Sequence, residues 1–464
     1  MRRCLAVLLP VLLSAAEPTV QVLYTAATRE QDIAAQPVQT WTATAAVATP
    51  AVTVTIDPTV RHQTMAGIGA AFSEIGTKAV LTLPEDRRRA VMTALFAVEG
   101  GAGLSMCRLP IGASDFATSA YSYAEEPEDY DLRSFSIARD QASIIPVVQQ
   151  AKAINPELGL FASPWSPPGW MKVSGTMDGG GKDKPDNRLR DGERIARVWA
   201  AYLVKYLQAY QAVGLPIARL NPQNEIDMNP GYPGCVIPPE RIVDLFPHAL
   251  APALKASGLA TELWPGTFRE DPRQPWATRC MADADFRACT VGLGIQYFNA
   301  AFVADLVKAH PGLRLMHTEA NCHNGKNTAA QAQGRMAEMI GVFNAGCDTY
   351  AYWNMVLDEQ QESGWKWKQN SLVTIDRTAG TVRWNPDWQP VALVSGAVRP
   401  GDVRIDAQGG NGPVAAFRKP DGRVVVLLTN REPQARQVAL DVAGRHLTAQ
   451  VPPQADVALL ITGL

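Results

Sequence analysis

Several absences narrow what this chain can be. No long run of Lys or Arg occurs, and 43 basic against 45 acidic residues leave a formal charge of -2. That balance argues against nucleic acid or an anionic membrane surface as the main partner. Beyond the first residues no apolar stretch is long enough to span a bilayer, so no integral membrane association is expected. The six His include no His-x-x-x-His pair. His317, Cys322 and His323 match no ligand spacing, so neither a metal nor another cofactor is expected. A Gly-x-Ser-x-Gly elbow is missing, which argues against a serine hydrolase. Gly67-Ile68-Gly69-Ala70-Ala71-Phe72 half matches a dinucleotide loop but puts Phe at the third glycine. Solenoid periods and low-complexity tracts are absent too.

What is present begins with a leader. Met1-Arg2-Arg3, the short apolar run Cys4–Leu13 and the small residues Ser14-Ala15-Ala16 have the plan of a secretory signal peptide, with cleavage expected near Ala16. A secreted or periplasmic protein follows, and export permits disulfides. Of seven Cys, six remain once Cys4 leaves with the signal. Cys280 and Cys289 lie close together in a polar stretch and are the expected pair. Cys235 and Cys322 are a second possible pair at a loop face. Cys107 and Cys347 fall inside apolar runs and read as buried thiols.

The length, 464 residues, suits one large domain and a smaller one. From about residue 62 an apolar strand, a loop and a helical pattern alternate. The strands are Thr64–Ala70, Gly103–Pro110, Leu158–Ser163, Ile217–Pro222, Thr261–Gly266, Gly292–Phe298, Leu313–Thr318 and Thr349–Trp353. Helical stretches between them include Arg194–Ala212 and Thr328–Ala345. Eight such units predict a (β/α)8 TIM barrel. The sixth strand is the weakest, because Gly292-Leu293-Gly294 interrupts it. After Trp388 the helical period stops, and Val403–Ile405, Val414–Arg418, Val424–Thr429, Gln437–Val442 and Ala455–Ile461 read as a small antiparallel β-sandwich. Two isolated strands near the front, Val20–Thr25 and Ala51–Ile56, are expected to complete it, so both termini would build the second domain. The division is 1–16 signal, 17–60 N-terminal strands, 61–395 barrel and 396–464 sandwich.

In that frame Glu225, in Leu220-Asn221-Pro222-Gln223-Asn224-Glu225, ends strand four. Glu319, in Leu315-Met316-His317-Thr318-Glu319, ends strand seven. Both face the C-terminal mouth, where barrel enzymes build their sites. Two carboxylates on different strand ends are the minimum equipment for cleaving a glycosidic bond. Arg108 and Asp115 follow strand two, and an Arg inside an apolar strand needs a carboxylate partner, for which Glu319 is suited. Ser163-Pro164-Trp165-Ser166-Pro167-Pro168-Gly169-Trp170 makes a stiff aromatic loop of the kind on which a sugar ring stacks. Trp353, Trp365 and Trp367 add aromatic surface after strand eight.

These segments together resemble glycoside hydrolase family 30, which contains glucosylceramidases and endo-β-1,6-glucanases. The matching stretches are Cys107–Phe116 with Tyr121-Ser122-Tyr123, Ser163–Lys172, Gln223-Asn224-Glu225, Thr318-Glu319, Tyr352-Trp353-Asn354 with Leu357-Asp358-Glu359, and Val394–Ile405. The resemblance implies retaining hydrolysis with Glu225 as acid/base and Glu319 as nucleophile. It places Asp115, Trp165, Asn224, Tyr297 and Trp353 against the sugar, with Arg108 in support. The expected partner is an oligo- or polysaccharide or glycoside, with β-1,6-glucan or another β-glucoside first. A fucoside, galactan or xylan substrate, or a carbohydrate-binding protein without catalysis, is the alternative. Three positions depart from the family pattern. Ile68 stands where Phe is usual, Ile295-Gln296-Tyr297 lacks a His two before the Tyr, and Ile226 follows Glu225 where Pro is common. The last two border the sugar site and bear on substrate identity. The Asn321–Gly325 loop beside Glu319 has no assigned role.

Overall fold

The computed structural model describes residues 18–26, 34–35, 39–40, 52–180, 186–269, 275–297 and 300–464. The expected signal peptide lies outside them, as does the end of the expected sixth strand.

All eight barrel strands form. Gly67–Ala71, Met106–Ile111, Gly159–Pro164, Arg219–Leu220 and Glu262–Leu263 pair in parallel in that order, and Thr349–Asn354 lies on the far side of the first. Gly292–Gln296 pairs in parallel with Arg314–Glu319. Single backbone bonds close the circle. Val291 and Gly294 donate to Leu263 and Pro265 between strands five and six, and Asp348 and Ala320 donate to Leu315 and Ala351 between strands seven and eight. The strands read as continuous apolar runs because both faces are covered.

Inside the barrel Met106, Phe161, Trp264, Met316 and Ala351 form one packed cluster. Gly69 belongs to the first strand because a Cβ there would run into the backbone carbonyl of Met106. Strands four and five span two residues each, shorter than their apolar runs suggest. After Leu220 side-chain and loop bonds replace the ladder, with Asn221 Nδ2 donating to Trp264 O and Gln223 N to Gly266 O. The interrupted sixth strand forms over five fully buried residues.

The helices follow their periodicity. Glu193–Ala212 buries Ile195, Trp199, Tyr202, Leu203, Tyr206 and Tyr210 along one stripe, the spacing of an amphipathic helix. The expected Thr328–Ala345 helix is two pieces. Ala329–Ala332 opens on a Thr328–Gln331 capping box, and Arg335–Asn344 restarts after Gly334, whose helix propensity is low.

The sandwich takes strands from both ends of the chain. Thr19–Ala26 runs antiparallel to Ala455–Thr462, and Val52–Thr64 lies between Val403–Gly409 and Arg436–Val442. Val20, Val54, Ile56, Ile405, Val426, Leu440 and Leu459 fill its core. One pairing departs from the expected antiparallel plan, since Val52–Thr64 and Arg436–Val442 are parallel. The N-terminal strand reaches its neighbour from far along the chain, so no hairpin forces the direction to alternate.

The expected disulfides are not made. Cys280 is buried on its own short helix, while Cys289 Sγ is directed at Phe286 O, 3.2 Å away. Cys235 and Cys322 Sγ likewise face nearby carbonyls, those of Val236 and Ala320. Each thiol packs locally, and burial pushes those of Cys280 and Cys322 up to about 12, far from a reactive thiolate. Among the described residues no helix is long and apolar enough to cross a membrane, and no group of three His, Cys, Asp or Glu could hold a metal.

Candidate active site

Strand register brings the two carboxylates together. Glu319 is the last residue of strand seven. Glu225 lies five residues past the end of strand four, with φ of 42°. A non-glycine residue in that region carries backbone strain, which such sites store where surrounding bonds hold it. Here the bond is from Glu225 N to Thr267 Oγ1, 2.8 Å. Thr267 Oγ1 donates in turn to Gln296 Oε1 at 2.6 Å, which turns Gln296 Nε2 toward Glu225 Oε1 at 3.2 Å. Tyr232 OH donates to Glu225 Oε2 at 2.7 Å.

Glu319 has different company. Arg108, fully buried on strand two, donates from Nη1 to Glu319 Oε2 at 2.5 Å. Its other N–H groups go to Ser163 Oγ at 3.0 and 2.6 Å, to Asn224 Oδ1 at 2.7 Å and to Thr318 O at 3.4 Å. Because Asn224 Oδ1 is occupied by Arg108, its Nδ2 is the group left for a ligand. Tyr297 OH donates to Glu319 Oε1 at 3.1 Å and is also hydrogen-bonded to Glu225. Tyr297 is the most open of these residues, 37% exposed.

Burial raises both carboxyls above their ordinary range. Glu225 also repels the charge on Glu319, whereas Arg108 favours it. Two close carboxyls of this kind cannot both ionise easily. Arg108 bonds Glu319 directly, whereas the burial of Glu225 is opposed by the Tyr232 hydroxyl and the charge of Arg269.

The remaining expected residues lie beside the same groups. Trp165 and Trp353 stack with centroids 4.9 Å apart, and the Arg108 guanidinium lies 4.6 and 5.5 Å from their rings. Asp115 is buried, and its Oδ1 has no partner among the described residues. Burial, with repulsion from Glu319 and Glu225, pushes its carboxyl up. An orphaned buried acceptor beside two carboxyls is suited to a ligand hydroxyl.

Sequence reasoning did not single out Tyr232, Ser163 or Thr267. Tyr232 reaches Glu225 from a Gly-Tyr-Pro-Gly turn seven residues on, and nothing in its spacing marks it. Gln296 was visible only as the neighbour of Tyr297. The Asn321–Gly325 loop is a structural turn, since Asn321 Oδ1 accepts His323 N–H and Asn321 O accepts Arg335 Nη2.

The family model for the glycosyl hydrolase family 30 TIM-barrel domain matches residues 65–388, and that for the family 30 beta sandwich domain matches 401–457. The chain belongs to glycosyl hydrolase family 30. It is therefore a glycoside hydrolase with a carbohydrate substrate. Among its family 30 relatives is an endo-1,6-beta-D-glucanase of Neurospora crassa, 29% identical over 82% of this chain and 81% of that one. The lysosomal acid glucosylceramidase of Mus musculus is 26% identical over 82% of this chain and 77% of its own length. Among solved structures, the endo-beta1,6-glucanase BT3312 superimposes with a TM-score of 0.85 at 25% identity, covering 95% of this chain and 98% of that one.

Proposed function

We propose that this family 30 enzyme is a secreted, retaining β-glycosidase acting on β-1,6-glucan, with other β-glucosides as the next candidates. The observation that carries the mechanism is the unequal company of the two carboxyls. Arg108 forms an ion pair with Glu319, which favours a nucleophile's charged form, while among the described residues Glu225 hydrogen-bonds neutral groups, Tyr232 and Gln296, and pairs with no cation. The shared hydroxyl of Tyr297 supports a separation near the ~5–5.5 Å of retaining enzymes rather than the ~6.5–9.5 Å of inverting ones.

In the first step a Glu319 oxygen bonds the anomeric carbon as the glycosidic C–O bond breaks. The Glu225 proton goes to the leaving oxygen. In the second, water attacks the same carbon, Glu225 takes its proton, and the ester to Glu319 breaks. Loss of the Glu319 charge in the intermediate lowers the proton affinity of Glu225, which prepares it as the base. Asn224 Nδ2 suits the 2-hydroxyl, a contact that strengthens as charge develops. Trp165 and Trp353 supply the apolar wall. The substrate assignment draws on similarity to β-1,6-glucanases, and secretion on the N-terminal leader.

The test is hydrolysis of β-1,6-glucan, gentiobiose, xylan, β-1,6-galactan and aryl β-glucoside, fucoside, galactoside and xyloside, with Glu319→Ala alongside. Turnover of β-1,6-glucan with the anomer retained, lost in the variant, is the expected result. Activity confined to another glycoside would discard the substrate and keep the mechanism.

A further inference from the structure

We propose that Asp140 is a positioning residue of the sugar site: with Tyr121, Tyr123 and Tyr210 it holds the loop that presents Asp115. This rests on reading Asp115 as a contact of the bound sugar.

Asp140 is fully buried and has no ion-pair partner among the described residues; its neighbour Arg139 is spent on Glu74. Three hydroxyls converge on it instead. Tyr121 donates to Oδ1 at 2.7 Å, and Tyr123 and Tyr210 donate to Oδ2 at 2.6 Å each. A buried carboxyl satisfied only by hydroxyls is an expensive way to fill space, where an apolar side chain would serve.

What it gains is control of the loop after strand two. Tyr123 OH, held by Asp140, accepts Gly112 N–H at 2.8 Å. Tyr121, held by the other oxygen, accepts Ala113 N–H on its backbone carbonyl at 2.9 Å. Gly112 and Ala113 are the third and second residues before Asp115. On the far side, Thr118 N donates to Glu74 Oε2 at 2.8 Å, and the same Glu74 binds Arg139, whose guanidinium lies 3.9 Å over the Tyr121 ring. The loop is thus pinned on both sides of Asp115 through one network.

Asp115 needs such a frame. No described group bonds its Oδ1, and two neighbouring carboxyls repel its charge. Without external restraint the carboxyl would turn away from the place where a sugar hydroxyl needs it.

The experiment is a double-mutant cycle on the full chain, measuring kcat and KM for a hydrolysed β-glycoside with Asp140→Asn, Asp115→Ala and both. Asp140→Asn alone is expected to lower kcat/KM on the order of 10–100-fold, the scale of a misplaced contact. In the Asp115→Ala background the same change should cost less than about twofold. Tyr123→Phe, which removes one hydroxyl bridging Asp140 and Gly112, repeats the cycle with less risk to folding. An equal cost in both backgrounds, or no cost in folded Asp140→Asn and Tyr123→Phe, would overturn the proposal. If Asp115→Ala alone has no effect, the sugar contact itself fails and takes this proposal with it. Loss of activity in Glu319→Ala, measured in parallel, keeps the catalytic reading separate from either outcome.

Discussion

Two of the buried arginine–carboxylate pairs among the described residues of the barrel stand at its opposite ends, and they are built to opposite purposes. At the N-terminal end Arg219, the first residue of strand four, grips Asp348 with two bonds of 2.7 and 2.9 Å. Thr349 Oγ1 and Arg314 Nη2 reach the same carboxylate at 2.8 and 3.3 Å. Arg219 and Arg314 also cover Trp264 at 4.0 and 4.8 Å. Asp348 is thereby saturated. At the C-terminal mouth Arg108 gives Glu319 one contact and spends its other donors on Ser163, Asn224 and the Thr318 carbonyl. Among the described residues the second oxygen of Glu319 meets the half-open Tyr297 hydroxyl and no other donor. One carboxylate is finished by the fold, and the other keeps a less-bonded oxygen, as the proposed nucleophile requires. The two ends of a barrel divide labour in this way between stability and catalysis.

Substitutions sharpen that contrast. Glu319→Ala should lower kcat by roughly 10⁴-fold or more, the scale seen when a covalent nucleophile is removed, with the fold intact by circular dichroism. A folded variant that keeps a tenth of the activity would break the assignment. Arg219→Leu leaves Asp348 buried without its main partner, and breaking such a pair costs about 3–5 kcal/mol. Urea unfolding should show that loss, while kcat per folded molecule stays within about twofold. A large drop in kcat without a stability change would erase the division between the two ends.

Arg108→Gln removes the cation from the mouth. The expected loss in kcat/KM is about 10²–10³-fold, comparable to deleting a preorganised electrostatic donor. The pH profile gives the more specific readout. Arg108 favours ionised Glu319, so its removal raises the Glu319 pKa. The acid limb, where the nucleophile must lose its proton, should move to higher pH. An unmoved limb would mean that Arg108 serves packing alone.

How much of this was legible in the chain depends on what kind of order each part uses. The strand–helix alternation and the place of Glu319 at the end of strand seven follow from period and burial and could be read directly, whereas Glu225 sits in the loop five residues past strand four, because side-chain bonds replace the ladder after Leu220. The pairing of Arg108 with Glu319 followed from the cost of burying a lone guanidinium. Tyr232 was invisible because a loop turn, not a periodic element, carries it to Glu225. Thr267 and Ser163 were missed for a similar reason, since a hydroxyl that orients another side chain leaves no pattern in sequence. The cysteines misled because nearness along the chain says nothing about where a sulfur points. Cys280 and Cys289 sit on separate short helices, and their thiols pack locally.

Tyr232→Phe tests the smallest of these effects and the one least visible in advance. The hydroxyl bonds Glu225 Oε2 and stabilises its ionised form, opposing the burial that raises its pKa. Removing it favours the protonated acid. The basic limb of the pH profile, where Glu225 loses its proton, should therefore move to higher pH, while the acid limb, governed by Glu319, stays in place. Gln296 still bonds the other Glu225 oxygen, so the fall in kcat should be no more than about tenfold. A shift of the acid limb instead would reverse the roles given to the two carboxyls, because Tyr232 bonds only one of them.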